Sequence, residues 1–343
     1  MKSIFILLNI VITVCACGGG GDSSNSSETS YTTAEEYIRT QGFVGSILVK
    51  KEGITLLERG FGYSNKAQTI ENGVDTRYRI GSLTKAFTAM AIVQLKNNNL
   101  ITSYDDTIDR YLPDYPDGDT ISLRHLLTHR SGIPEYLSLV DAGVTYTPEE
   151  LIELFEGAPL DAEPGEQFNY SNSNYTLLGY LIEQLSGMSY ENYLHTALFS
   201  VLGITNTEYG NSNITGVNYA LGYRNTNQNQ TASFIDMSIP FSAGALSSTL
   251  SDLTVWAESF SANILSSAED NEEIFSEGEY GFGWVVTTIS GKRAYTHSGS
   301  INGFNAIISL FPEENGLIIA LSNADGTKAA LNRIVNVVAA NEF

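Results

Sequence analysis

One stretch constrains the fold more than any other. Between Tyr78 and Leu95 a serine and a lysine three residues apart, Ser82 and Lys85, open a long apolar run. From Lys85 to Leu95 only Thr88 and Gln94 interrupt the apolar side chains, so the run reads as a helix buried on nearly all sides, a rigid platform within a larger core. Three residues is just under one helical turn, which puts the Ser82 hydroxyl and the Lys85 ammonium on one face. A helix start also offers unpaired N–H groups and a partial positive charge beside the serine oxygen, where negative charge could be held. Alone, the pair is weak evidence, because a helix-opening serine and a solvated lysine recur by chance.

A chain of 343 residues fits one large two-lobed domain or two domains. Its formal net charge of −21, from 39 acidic and 18 basic residues, argues against nucleic acid or an anionic membrane surface as a partner. At the N-terminus, Met1 to Ser3 lead into the largely apolar run Ile4 to Val14 and then to Cys15, Ala16 and Cys17. About 11 apolar residues cannot cross a bilayer core of roughly 30 Å, so this segment reads as an export signal. Cys17, preceded by the small Ala16, resembles the lipidated cysteine of a bacterial lipobox; ordinary signal cleavage with a free thiol is the alternative. With Cys15 removed and Cys17 acylated, no cysteine remains for an intramolecular disulfide. The expected organisation is a lipoprotein signal over residues 1–16, a Gly- and Ser-rich flexible tether over 17–30 and a globular domain over 31–343.

Along the globular part, a short helix from Thr33 to Thr40 precedes two β runs, Val44 to Lys50 and Ile54 to Gly62, joined at Gly53 as a hairpin. From about residue 97 to 240 the pattern is helical and loop-like, with helices expected over Leu123 to Leu127, Pro148 to Phe155, Tyr175 to Leu185 and Tyr190 to Leu202. Another helix is expected from Leu250 to Phe260. Strands return over Gly281 to Ser290, Arg293 to His297, Phe304 to Phe311 and Leu317 to Ser322, with a functional loop after His297 and a helix from Lys328 to Asn341 closing the chain. The first and last strands therefore share one antiparallel sheet. An α/β lobe of 31–96 and 241–343 would enclose a mostly helical lobe of about 97–240.

Two further elements give the Ser82–Lys85 pair its meaning. Tyr170 and Asn172 form a Tyr-x-Asn tripeptide just before a helix, and His297 to Gly299 form a His-x-Gly at a strand end. By itself the first is a polar cap and the second a core histidine. Together, in this order and context, the three elements resemble the motifs of the serine β-lactamase and D-alanyl-D-alanine carboxypeptidase superfamily. The flanking phrases Phe43 to Val49, Arg124 to Pro134, Leu202 to Thr207 and Ala243 to Thr249 are similar too, and the resemblance spans Glu35 to Asp325. It is closest to the branch holding class C β-lactamases, serine carboxypeptidases and related esterases.

The resemblance implies an α/β fold of the β-lactamase and transpeptidase type, an antiparallel sheet flanked by helices with an inserted helical lobe. It implies a cofactor-free serine acyl hydrolase that holds no metal. Ser82 would be the nucleophile, Lys85 and Tyr170 the proton-handling pair, and Asn172 a partner of the substrate amide. His297, Ser298, Gly299 and Ser300 would form the edge that substrate lies against, with the N–H groups of Ser82 and Ser300 as the oxyanion hole. A serine hydroxyl needs an adjacent base, which is either Tyr170, if its phenol titrates well below about 10, or a desolvated neutral Lys85. The substrate would be a small-molecule or peptide acyl compound: a peptidoglycan peptide for a carboxypeptidase-like amidase, an ester for a carboxylesterase, or a β-lactam. A receptor that is acylated without turnover is the rival from another class. Membrane contact would be through the lipid anchor alone, with the domain in the bacterial cell envelope.

One departure bears on substrate. His297 stands where class C enzymes carry lysine, which removes a fixed cation. The expectation is slow β-lactam turnover that improves toward anionic substrates below about pH 6, where a histidine protonates. Lys328 and Arg333 are near in sequence, but no arginine can be assigned to a carboxylate. His125 and His129 are four apart with Leu where a zinc protease needs Glu, so they read as packed or capping histidines. A Gly-x-Ser-x-Gly elbow, a phosphate loop and a dinucleotide fingerprint are all missing from the sequence.

If Cys17 is the anchor, mass spectrometry of membrane-fraction protein will find a lipid-modified N-terminus at Cys17, and Cys17→Ser will release the chain into the soluble fraction. An unmodified N-terminus elsewhere refutes the anchor.

Overall fold

Seven consecutive buried residues, Gly316–Ser322, form the strand that ties the two ends of the chain together. The computed structural model describes residues 34–210, 218–276 and 278–343. The expected signal and tether, with Cys17, lie outside the described residues. A short helix, Ala34–Thr40, leads into β1 (Gly45–Lys51) and β2 (Ile54–Phe61). The four late strands are β3 (Val285–Ile289), β4 (Lys292–Ile301), β5 (Phe304–Phe311) and β6 (Gly316–Ser322). All six make one antiparallel sheet in the order β2-β1-β6-β5-β4-β3, so the early hairpin docks on the last strand, with Ile47 opposite Ala320. Every residue of β6 is buried, as its unbroken apolar sequence demands, because both its faces are covered. The helix Leu250–Ser261 packs on β6 and the closing helix Lys328–Glu342 packs on β5.

The central helix runs from Thr84 to Asn97 and buries every residue from Thr84 to Val93, and Leu95. It packs against the helix Asn172–Ser186 and against the short turn of helix Phe241–Gly244. Phe87 stacks on Trp256 with ring centroids 4.1 Å apart and meets Phe199 edge-on at 6.0 Å. Among the described residues no helix is long and apolar enough to cross a membrane.

The structure departs from the expected elements at places with definable causes. β4 does not stop at His297 but continues to Ile301, so the expected functional loop is strand, with His297 opposite Ile308 and Ser300 opposite Asn305. Small polar residues disguised it. The expected helix from Tyr190 to Leu202 contains a π turn, His195–Phe199, that buries the consecutive Leu198 and Phe199 together. A helix over Ala268–Ile274 was not anticipated, although Ser267 and Asp270 close a capping box at its start. Finally, Tyr78–Arg79 joins Leu246–Ser248 and Glu208–Tyr209 in a small sheet whose strands are too short to show a period.

Phe87→Ala will cost about 3–5 kcal/mol, the range for deleting a buried aromatic, and will lower the urea midpoint. Leu56→Ala, on the exposed edge strand β2, will change it by less than about 1 kcal/mol. Equal losses at both sites would contradict the core assigned here.

Candidate active site

Ser82 sits in a tight turn, Gly81–Leu83, that joins the Tyr78–Arg79 strand to the central helix. The turn is held from below by the bond from Ile80 N to Leu246 O at 2.9 Å. Gly81 has φ +52°, a left-handed conformation that favours glycine, and a Cβ there would lie 2.8 Å from Ser300 N. From the other side, a Cβ on Gly299 would lie 1.8 Å from Ile80 O and 3.1 Å from Ser82 N. The turn and β4 thus touch backbone to backbone, and two glycines permit it. That contact brings the N–H groups of Ser82 and Ser300 into one place. β3 pairs with β4 only as far as Thr296, so beyond it, among the described residues, β4 has no strand partner on the side away from β5.

Lys85 is fully buried on the first turn of the central helix. Its Nζ is 2.6 Å from Asn172 Oδ1, 2.8 Å from the Ala243 carbonyl and 3.4 Å from Ser82 Oγ. Burial lowers its pKa to about 7, against an opposing pull from Glu135. Two acceptors and one hydroxyl satisfy both forms: an ammonium donates to all three, whereas a neutral amine donates twice and turns its lone pair to the hydroxyl.

Tyr170 is half-buried and its phenol is hydrogen-bonded to Ser82. Burial pushes this phenol well above its usual value, which the Ser82 bond only partly offsets, so it stays protonated. Its ring rests on His129 at 4.3 Å. His129 holds the residues around Tyr170: its carbonyl accepts Asn169 N at 2.8 Å and its Nδ1 accepts Ser171 N at 3.3 Å. Burial depresses His129 far below the usual histidine range. His125, meanwhile, closes the cap of the helix Leu123–Leu127. Both histidines are therefore packing and capping residues, as their spacing suggested.

His297 is 5% exposed, with Nε2 2.7 Å from the Tyr280 hydroxyl. Burial first, then the positive potential of Lys85, lowers its pKa to about 3. This overturns the expected protonation below about pH 6: the imidazole is neutral through that range. The burial that decides it comes from the fold. Ser300 is exposed, and its hydroxyl donates to Asn305 Oδ1 at 2.9 Å. Ser298 lies opposite Ile307 and Gly299 opposite Ala306.

The structure thus gathers Ser82, Lys85, Tyr170, Asn172 and the edge from His297 to Ser300 at one place. Arg333 is elsewhere, bonded to Gln41, whereas Lys328 contributes positive potential at His297. Sequence reasoning missed Glu135, which accepts from both the backbone and the side-chain amide of Asn172. It also missed Tyr280 and the Ala243 carbonyl. Glu135 directly follows the family-like phrase ending at Pro134, and that adjacency was the available signal; Tyr280 had none beyond a glycine-rich surround.

A buried amine beside a serine hydroxyl, with two N–H groups against a free strand edge, defines a serine hydrolase site, and the comparisons agree. The chain belongs to the Beta-lactamase family, which matches residues 33–341, and it is a serine acyl hydrolase. PbpX of Bacillus subtilis (strain 168), named as a penicillin-binding protein, is 29% identical over 306 residues, covering 88% of this chain and 76% of the relative. A penicillin-binding protein from Bacillus halodurans superposes with a TM-score of 0.77 at 24% identity, covering 91% of this chain and 100% of that one. D-amino acid amidase from Ochrobactrum anthropi SV3 does so with a TM-score of 0.78 at 22% identity, covering 89% and 97%. These two likenesses establish the shared fold.

Gly299→Ala will push the strand edge off the turn. Reaction of Ser82 with a fluorophosphonate will fall by about 10² or more, the scale of a lost oxyanion donor, while circular dichroism stays native. Labelling at the unaltered rate would show that the close approach is not needed.

Proposed function

We propose that the chain is an amidase or peptidase of the D-alanyl-D-alanine kind, working through an acyl-enzyme at Ser82. The observation that carries the reading is the cage around Lys85. A neutral amine donates to Asn172 Oδ1 and the Ala243 carbonyl, which leaves its lone pair toward Ser82 Oγ. Lys85 then takes the Ser82 proton as Oγ attacks the substrate carbonyl, and the N–H groups of Ser82 and Ser300 hold the oxyanion. Tyr170, protonated and bonded to Ser82, passes a proton to the departing nitrogen, and its own is replaced from Lys85. Water then cleaves the ester at Ser82 by the reverse path. Asn172 Nδ2 has one N–H engaged by Glu135 and a second free for a substrate carbonyl.

Charge narrows the substrate. His297 is neutral and Glu135 is an exposed carboxylate close to Asn172, so within this reading amidase action on amides or esters with no negative charge beside the scissile bond stands before carboxypeptidase action, whose substrate carries its terminal carboxylate there. That also supports a second reading, carboxylesterase, and argues against fast β-lactam turnover, although PbpX is named for penicillin binding. The silent receptor is the third reading. Attachment to the cell envelope through Cys17 belongs to the same proposal.

A kinetic panel tests it: a D-Ala-D-Ala peptide with a free carboxylate, the same peptide amidated, p-nitrophenyl acetate and nitrocefin. The amidated peptide will be cleaved about tenfold faster or more than the acid, the scale of one charge contact, and nitrocefin slowly. Because the Lys85 pKa is lowered, its base form is present above about 7 and lost below, so kcat/KM will rise with pH through that value. Ser82→Ala will abolish every activity. Fast nitrocefin turnover would put β-lactamase first, and one equivalent of label without turnover would identify a receptor.

A further inference from the structure

The helix Asn172–Ser186 starts without a cap of its own, since the Ser171 side chain makes no capping bond. Glu135, 37 residues earlier, fills the place. Its Oε2 accepts Asn172 N at 2.9 Å and Asn172 Nδ2 at 2.7 Å, and its Oε1 accepts Leu137 N at 3.0 Å. A carboxylate at a helix N-terminus is favoured by the unpaired N–H groups there. Both oxygens are therefore committed within the protein, although the residue is exposed.

What Glu135 decides is the orientation of an amide whose two ends are unlike. With the Asn172 oxygen toward Lys85, the neutral amine spends its two donors on Oδ1 and the Ala243 carbonyl and keeps its lone pair for Ser82. Turned round, the Asn172 NH₂ would meet Nζ, donate into that lone pair and leave Ser82 without a base. Nothing in the shape of an amide distinguishes the two orientations; the acceptor facing Nδ2 does.

We propose that Glu135 is a positioning residue for acylation: by accepting from Asn172 N and Nδ2 it holds the amide oxygen toward Lys85 and so keeps the lysine lone pair on Ser82. It acts through Asn172 and Lys85 and takes no proton itself. The inference rests on the reading of Lys85 as the base. The groups that surround Nζ leave Glu135 a second, electrostatic effect. The Tyr170 and Tyr175 ring centroids lie 4.9 and 5.6 Å away, and both phenols are held protonated by burial. His129 and His297 are held neutral by burial. Glu135 is the acidic group whose charge favours the ammonium form.

The test is the rate of Ser82 labelling by a fluorophosphonate against pH, which does not depend on knowing the substrate, for the wild type, Glu135→Gln, Glu135→Ala and Lys85→Ala. Wild-type labelling will rise through about pH 7. In Glu135→Ala the amide can turn, and the plateau rate will fall about tenfold or more with the circular dichroism unchanged. Glu135→Gln keeps an acceptor at the same reach, so it will lose less than Glu135→Ala. Its acid limb will lie at lower pH than the wild type's, because the charge favouring the ammonium form is gone. A residue that merely capped the helix would lower Tm and leave the plateau rate in place, while the limb reports the charge alone. Wild-type plateau and limb in both variants would overturn the proposal. Should Glu135→Ala fail to fold, the plateau of Glu135→Met, which keeps the side-chain bulk and offers no acceptor to Asn172, decides in its place. If Lys85→Ala labels like the wild type, the base assignment has failed, and that result is distinct from a failure of Glu135.

Discussion

The rest of the site depends on one buried amine. A lysine with no exposed surface is costly to charge, and the fall of its pKa from 10.5 to about 7 corresponds to on the order of 5 kcal/mol against the ammonium form. The helix that carries Lys85 must therefore be buried along nearly its whole length, which is why Thr84 to Val93 show no polar face. It must also be held still. The stack of Phe87 on Trp256 and the contact with the helix Asn172–Ser186 do that, and the second contact brings Asn172 to the amine. One packing arrangement supplies both the low dielectric and the hydrogen-bond acceptor that a neutral lysine requires.

A second constraint follows from the first. In the proposed mechanism the serine on the turn before that helix needs a second N–H donor beside its own, and the candidate is Ser300 on β4, more than 200 residues later in the chain. The distance is closed by Gly81 and Gly299, whose missing side chains let the two backbones meet. β4 is in turn fixed by β5, β5 by β6, and β6 by the first hairpin. The pairing of the chain's first and last strands is thus part of the site, since a slip in that register would move Ser300 away from Ser82.

Legibility in the sequence followed the range of the interactions. The central helix, the hairpin and the late strands could be read because period and turn chemistry are local, and the three motifs because each lies within a few residues. The Tyr78–Arg79 strand could not, since two residues show no period. β4 beyond His297 looked like a loop because Ser298, Gly299 and Ser300 are small and polar, yet each has a partner on β5. Glu135 was invisible as a partner of Asn172 because only the fold brings residues 37 apart together. The titration of His297 was misjudged for the same reason: exposure is a property of the tertiary structure, and Tyr280 seals its Nε2.

Two of the residues that sequence reasoning missed, Glu135 and Tyr280, set the charge around the site. Tyr280 helps bury His297 and keep it neutral, and Glu135 leaves a negative charge beside Asn172. Neither His297 nor Glu135 supplies a positive charge for a substrate carboxylate, and Lys328 adds only positive potential at His297. An exchange of His297 for lysine would not restore one cheaply, because the same pocket would desolvate the new ammonium and Lys85 would repel it. Opening the Tyr280 wall to water would have to come first. The charge at this edge is therefore set by the packing around β4 as much as by the residue at position 297.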